Sequence, residues 1–82
     1  MTKINVNIQD FQKRFSDEYD FLYDHDDNVA GYDEAVEAFD DLLESNENFQ
    51  MFVSDFCAFR NDPISSDREA GAFMFALSYY MN

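Results

Sequence analysis

Apolar residues recur every three or four positions in four separate stretches of this chain, and polar breakers divide each stretch from the next. Ile8, Phe11, Phe15, Tyr19 and Leu22 form the first series. Residues at that spacing share one face of an α-helix, so a helix is expected from about Asn7 to Asp24. The connection 24–31, DHDDNVAG, is polar and ends in Gly31, the strongest breaker in the chain. A second helix is expected from about Gly31 to Glu44. Tyr32, Val36, Phe39 and Leu43 share its inner face, with Ala35 and Leu42 beside them. Ser45, Asn46 and Asn48 mark a tight turn, and Ser45 or Asn46 is suited to cap the next helix. That third helix, roughly 47–60, carries a stripe of Phe49, Phe52, Val53, Phe56 and Phe59. Asn61-Asp62-Pro63 stops it, because proline bars the preceding residue from helical geometry. Ser66 and Glu69 then have the spacing of a capping box. The fourth helix has a core stripe of Ala70, Phe73, Met74, Leu77, Tyr80 and Met81.

The expected fold is therefore all-α, a compact bundle of four short helices forming a single domain over residues 1–82. One alternative concerns the N-terminus. Residues 3–8, KINVNI, alternate apolar and polar, which also suits a short strand and an α+β fold. Two features of the fourth helix bear on assembly. Ala72, Phe75 and Tyr79 lie opposite its core stripe, so the helix is apolar nearly all round. Such a helix is either central to its own domain or part of an interface, including that of a homodimer. Phe21 falls off the stripe of the first helix, among Asp17 and Asp24. Phe21, Phe75 and Tyr79 are thus candidate apolar anchors for a partner.

Charge is the other organising feature. The net charge is −13, yet nearly half the residues are apolar, so the chain has the composition of a folded domain and not of an acidic tail. Ten Phe and five Tyr supply much of the core, each ring burying a large area. Between Asp17 and Glu47 lie 13 acidic residues and no Lys or Arg; His25 is the one potential cation there. In the second helix Asp33, Glu34, Glu37, Asp40, Asp41 and Glu44 occupy one outer sector of roughly 120°. Like charges at i,i+4 cost about 0.2–0.5 kcal/mol per pair, a cost that an ordinary solvent face avoids by mixing in lysine. Asp17, Asp20, Asp24, Asp26 and Asp27 extend the acidic run through the first helix and its loop. Along the second helix Asp33, Glu37, Asp40 and Glu44 stand ~4.5–6 Å apart along the axis, the scale of neighbouring phosphates on a nucleic-acid strand. The plainer reading of the same residues is a face that keeps the domain soluble.

Chemistry elsewhere is sparse. Asp26, Asn28, Gly31 and Glu37 match positions one, three, six and twelve of a calcium loop resembling an EF-hand. Position five is Ala30, which offers no side-chain oxygen, and position eight is Asp33 where an apolar residue is usual. No metal or cofactor is therefore expected. His25 reads as an exposed loop residue, and Cys57 as a small packing residue of the third helix. With one His, one Cys and no glycine-rich phosphate loop, no catalytic residues are expected and the chain reads as a non-enzyme. A single cysteine suits a reducing compartment. The N-terminus lacks the apolar run of a signal peptide, and no segment approaches ~20 consecutive apolar residues, so the expected location is cytoplasmic.

No residue motif assigns a family. The acyl carrier triplet Asp-Ser-Leu is absent, Ser54-Asp55-Phe56 reversing its order. The Tyr-Tyr-Pro element of nuclease-bacteriocin immunity proteins is absent as well, since Met81 follows Tyr79-Tyr80. In size, charge and helical layout the chain resembles the small acidic inhibitors of bacterial defence, the phage- or plasmid-borne anti-CRISPR and anti-restriction proteins. That resemblance implies a stoichiometric inhibitor acting in a bacterial host cell. Its partner would be a basic, nucleic-acid-binding effector, with no direct contact to nucleic acid or membrane. The alternative is an antidote or regulatory module that neutralises a basic protein without copying nucleic acid.

Overall fold

Short side chains open three of the four helices by satisfying N–H groups that the first turn leaves free. Residues 4–81 are described by a computed structural model, in which the helices are α1 (Ile8–Asp24), α2 (Tyr32–Ser45), α3 (Glu47–Arg60) and α4 (Asp67–Met81). The Asn7 carbonyl oxygen Oδ1 accepts from the N–H groups of Gln9 and Asp10 at 3.0 and 3.1 Å. Asn46, not Ser45, caps α3, its Oδ1 accepting from Phe49 N–H at 2.9 Å. Ser45 instead donates back to the Asp41 carbonyl at 2.7 Å. At α4, Ser66 Oγ accepts from Glu69 N–H at 3.2 Å, one half of the expected capping box. The reciprocal half is displaced by one residue: Glu69 Oε1 accepts from the backbone N–H of Ser65 at 3.0 Å and from both serine hydroxyls.

The stops are equally local. Asp26 and Asp27 both adopt positive φ, and Gly31 enters α2 at φ 85. Asn61 sits in the left-handed region at φ 57 as α3 ends. There Asp62 N–H reaches back to the Cys57 carbonyl at 3.1 Å, a Schellman-type closure just before Pro63. Residues 4–7 are extended and pack Ile4 and Val6 against the core, but form no strand among the described residues. The strand alternative fails because no second extended segment lies beside them; Lys3, at the start of that pattern, lies outside the described residues.

α4 runs between α1 and α2 and packs on both, while α1 and α2 make no backbone contact with each other among the described residues. Its centre is Phe73, fully buried, whose ring meets those of Phe11, Phe39, Phe49, Phe52 and Phe56 edge-on at 4.9–5.7 Å. Edge-to-face pairs of this kind add about 0.5–1.5 kcal/mol each beyond the area they bury. Gly71 lets α2 approach: a Cβ there would stand 2.8 Å from Cε1 of Tyr32.

The central position of α4 explains its all-round apolarity. Ala72, expected opposite the core, is fully buried, and Phe75 packs against the core. Three inward assignments are also corrected: Met81 is 64% exposed as the last residue of α4, and the other two lie on α2 and α3. Leu43 is 38% exposed, because α2 presents Ala35, Phe39 and Leu42 to the core and turns Leu43 to its edge. Phe59 is 44% exposed, because its ring edges a surface depression lined by Gln9, Gln12, Lys13, Ser16 and Asp17 of α1 and does not enter the core.

Candidate interaction surface

The six acidic side chains of α2, Asp33, Glu34, Glu37, Asp40, Asp41 and Glu44, are all exposed. Their positions follow from the helix itself. Once Ala35 and Phe39 are buried, a 3.6-residue period points the acidic set away from α3 and α4. Among the described residues none of these six carboxylates meets a cation or accepts a hydrogen bond. Asp33 and Glu34 in the first turn complement the helix dipole, but Glu44 in the last turn opposes it, and no basic residue is there to compensate. The face is thus set against its own neighbours along the helix, and at its C-terminal end against the dipole as well.

The acidic residues of α1 and the loop are differently placed. Asp17 shares a shallow depression with Asp10, Lys13, Arg14, Tyr79 and Tyr80, and Asp20 lines another with Arg60. Asp24 and Asp26 are exposed. Asp27 is engaged inside the molecule, accepting from Arg68 Nε and Nη2 at 2.8 and 3.1 Å and so tying the α1–α2 loop to the start of α4. The fold therefore splits the acidic run in two. The α2 set is uncompensated, whereas Asp17 and Asp20 of α1 lie across α4 from it, near the cations.

Every arginine has an internal carboxylate. Arg14 donates to Glu18 at 2.6 Å, and that bond holds its guanidinium charged more firmly than usual, against the pull of burial. The bonds to Asp27 raise the Arg68 pKa in the same way. Arg60 donates to Glu69 at 2.6 Å and lies 5.1 Å from the centre of the Phe15 ring and 5.3 Å from that of Phe56. Burial works to raise the Glu69 pKa, but the hydrogen bonds from Arg60, Ser65 and Ser66 outweigh it and hold the carboxyl below its ordinary value. Tyr32 is shifted up, by burial first and then by the negative charge of Asp27. Lys13 is the one cation outside an ion pair among the described residues.

Of the candidate anchors, Phe21 is 45% exposed and stacks on His25, ring centres 4.3 Å apart. His25 Nδ1 donates to the Phe21 carbonyl at 2.8 Å, which requires its proton on that nitrogen. Tyr79 is 57% exposed beneath the Arg14 guanidinium, 4.1 Å from the ring centre. Phe75, packed on the core, is not available as they are. Cys57 is half-buried against the core.

In the region of the calcium-like pattern, α2 already begins at Tyr32, so Glu37 belongs to its second turn, and Asp27 is held by Arg68. Among the described residues no group of three His, Cys, Asp or Glu side chains is placed to hold a metal ion. No described helix is long and apolar enough to cross a membrane. Fold and surface together define a small acidic four-helix bundle with one uncompensated carboxylate face. Comparison with known protein families, curated proteins and solved structures returns no match.

Proposed function

We propose that this chain is a non-catalytic, stoichiometric inhibitor whose α2 face occupies a basic, nucleic-acid-binding groove of a host protein. The observation that carries the reading is the set of six exposed, unpaired carboxylates on one helix, kept although repulsion among them disfavours it. A surface shaped only for folding or solubility would intersperse cations, at no cost to either. Fixed in register by the helix, the carboxylates offer a lysine- or arginine-lined groove an array of acceptors for charge-assisted bonds. Effectors of bacterial defence, CRISPR nucleases and restriction enzymes, are the proposed targets, reached in the cytoplasm. Asp24, Asp26 and Phe21 extend the contact from the adjoining end of α1 and its loop.

A second reading is favoured by the split in the acidic run. With α1 and α2 on opposite flanks of α4, the charge does not trace one continuous strand, which suits an antidote recognising a basic protein by shape. A tagged chain incubated with nuclease-treated bacterial lysate separates the readings. Inhibition by mimicry predicts capture of a basic nucleic-acid-binding protein that duplex DNA or RNA releases. Glu37→Lys, Asp40→Lys and Asp41→Lys together should abolish that capture and leave the helical circular-dichroism spectrum unchanged. A captured protein indifferent to nucleic acid would favour the antidote. Equal capture by the wild type and the triple variant would overturn both.

A further inference from the structure

Phe59 belongs by spacing to the core stripe of α3, yet it stands 44% exposed at the lip of a groove of about 590 Å³. Ile4, Asn5 and Val6 of the extended segment, with Ile8 at the start of α1, form one wall; Phe52, Asp55, Ala58 and Phe59 of α3 form the other. Ile4 also lines the next depression with Met51 and Asp55, so the extended segment runs along α3.

Two independent features indicate what fits there. The first is main-chain. Ile4, Asn5, Val6 and Asn7 alternate between half-buried and exposed, as an extended chain does, and Asn7 has extended backbone angles. Among the described residues the peptide N–H and C=O groups of Ile4, Asn5 and Val6 meet no partner. Such a row is a template for an added strand. The second is charge. Among the described residues Asp55 is the one ionic side chain lining the groove, and it is exposed and unpaired there, in a molecule of net charge −13. The occupant is therefore cationic, and a second copy of this chain, equally negative, is disfavoured.

We propose that the groove docks an extended segment of a partner protein carrying a bulky apolar residue two positions from a lysine or arginine. The segment pairs with the peptide groups of residues 4–6, seats its apolar side chain against Ala58 and Phe59, and places its cation at Asp55. The spacing is geometric. Same-side residues of an extended chain are about 6.6 Å apart, and Asp55 and Phe59, four residues apart on a helix, are separated by about 6 Å along its axis. No residue of α2 takes part, so this site stands or falls separately from the acidic face.

The test is selection of a phage-displayed library of random linear peptides on the full chain, followed by nitrogen-15 NMR titration with the enriched peptide. Enrichment of the apolar-x-cation pattern is expected, with shifts confined to the amides of residues 4–8 and 55–59. Asp55→Asn should weaken the peptide about threefold, as for an exposed ion pair. Phe59→Ser should weaken it at least about tenfold, as for an aromatic anchor. Both side chains are exposed, so melting curves serve as the control that each variant folds. Three results would overturn the proposal: no enrichment over an Ala58→Arg variant that fills the groove, shifts mapping to α2 and lost with its charge reversal, or self-association through residues 4–8 in sedimentation.

Discussion

At the scale of single residues, Phe59 and Phe73 show how differently one residue type is used. Each sits on an apolar stripe in the sequence. Phe73 is fully buried and touches five other phenylalanine rings, whereas Phe59 is nearly half exposed. Truncating a buried phenylalanine removes its transfer free energy and leaves a cavity, about 3–5 kcal/mol in all. A domain of this size is stable by roughly 4–12 kcal/mol. Phe73→Ala should therefore remove about a quarter of that stability at the least and all of it at the most, with a large fall in the urea midpoint. Phe59→Ala should cost less than about 1 kcal/mol, within the range of surface changes. Equal losses in urea titrations of the two variants would contradict the assignment of Phe73 to the centre and Phe59 to the surface.

At the scale of elements, α4 decides the architecture, and it does so through its smallest residue. Gly71 permits the close crossing of α2, where a Cβ would meet the Tyr32 ring at 2.8 Å. Glycine inside a helix costs about 1 kcal/mol relative to alanine, so its presence is a trade against overpacking of about 1–3 kcal/mol. Gly71→Ala should accordingly lower stability in the wild type and raise it by up to about 1 kcal/mol once Tyr32 is replaced by Ala. A double-mutant cycle in urea reads the coupling directly, and additive effects would rule out the steric account. The sequence already held part of this. Helix ends were legible because caps and stops are local: Asn7, Asn46, Ser66 and Pro63 act on neighbours a few residues away. Which way each helix turns about its axis, and how far its stripe is covered, is settled by other helices, and there the wheel alone misled at Leu43, Phe59 and Met81. The run Ala70-Gly71-Ala72 with Ala76 was the available sign that α4 is crossed closely on more than one side, and so lies at the centre.

At the scale of the whole molecule, charge and fold pull apart. The acidic side of α2 was legible because helical period alone gathers its carboxylates. The pairing of Asp27 with Arg68 was not, since 41 residues separate them and only the tertiary fold joins loop to helix. That pairing, with Arg14–Glu18 and Arg60–Glu69, uses the arginines internally and leaves α2 uncompensated. Like-charged i,i+4 neighbours on α2 are Asp33/Glu37, Glu37/Asp41 and Asp40/Glu44, together worth roughly 1 kcal/mol of repulsion. In a domain of this size that corresponds to a shift of about 4–8 °C in the thermal midpoint. Raising salt from about 0.01 M to about 1 M shortens the screening length from roughly 30 Å to roughly 3 Å, and should raise the midpoint by that order. Reversing Glu37, Asp40 and Asp41 to Lys changes the net charge by +6, from −13 to −7, and breaks two of the three like pairs. The variant should melt higher than the wild type at low salt and gain less than half as much from added salt. A face retained for recognition is one whose removal stabilises the fold while abolishing binding; equal salt responses in scanning calorimetry would show that α2 carries no such strain.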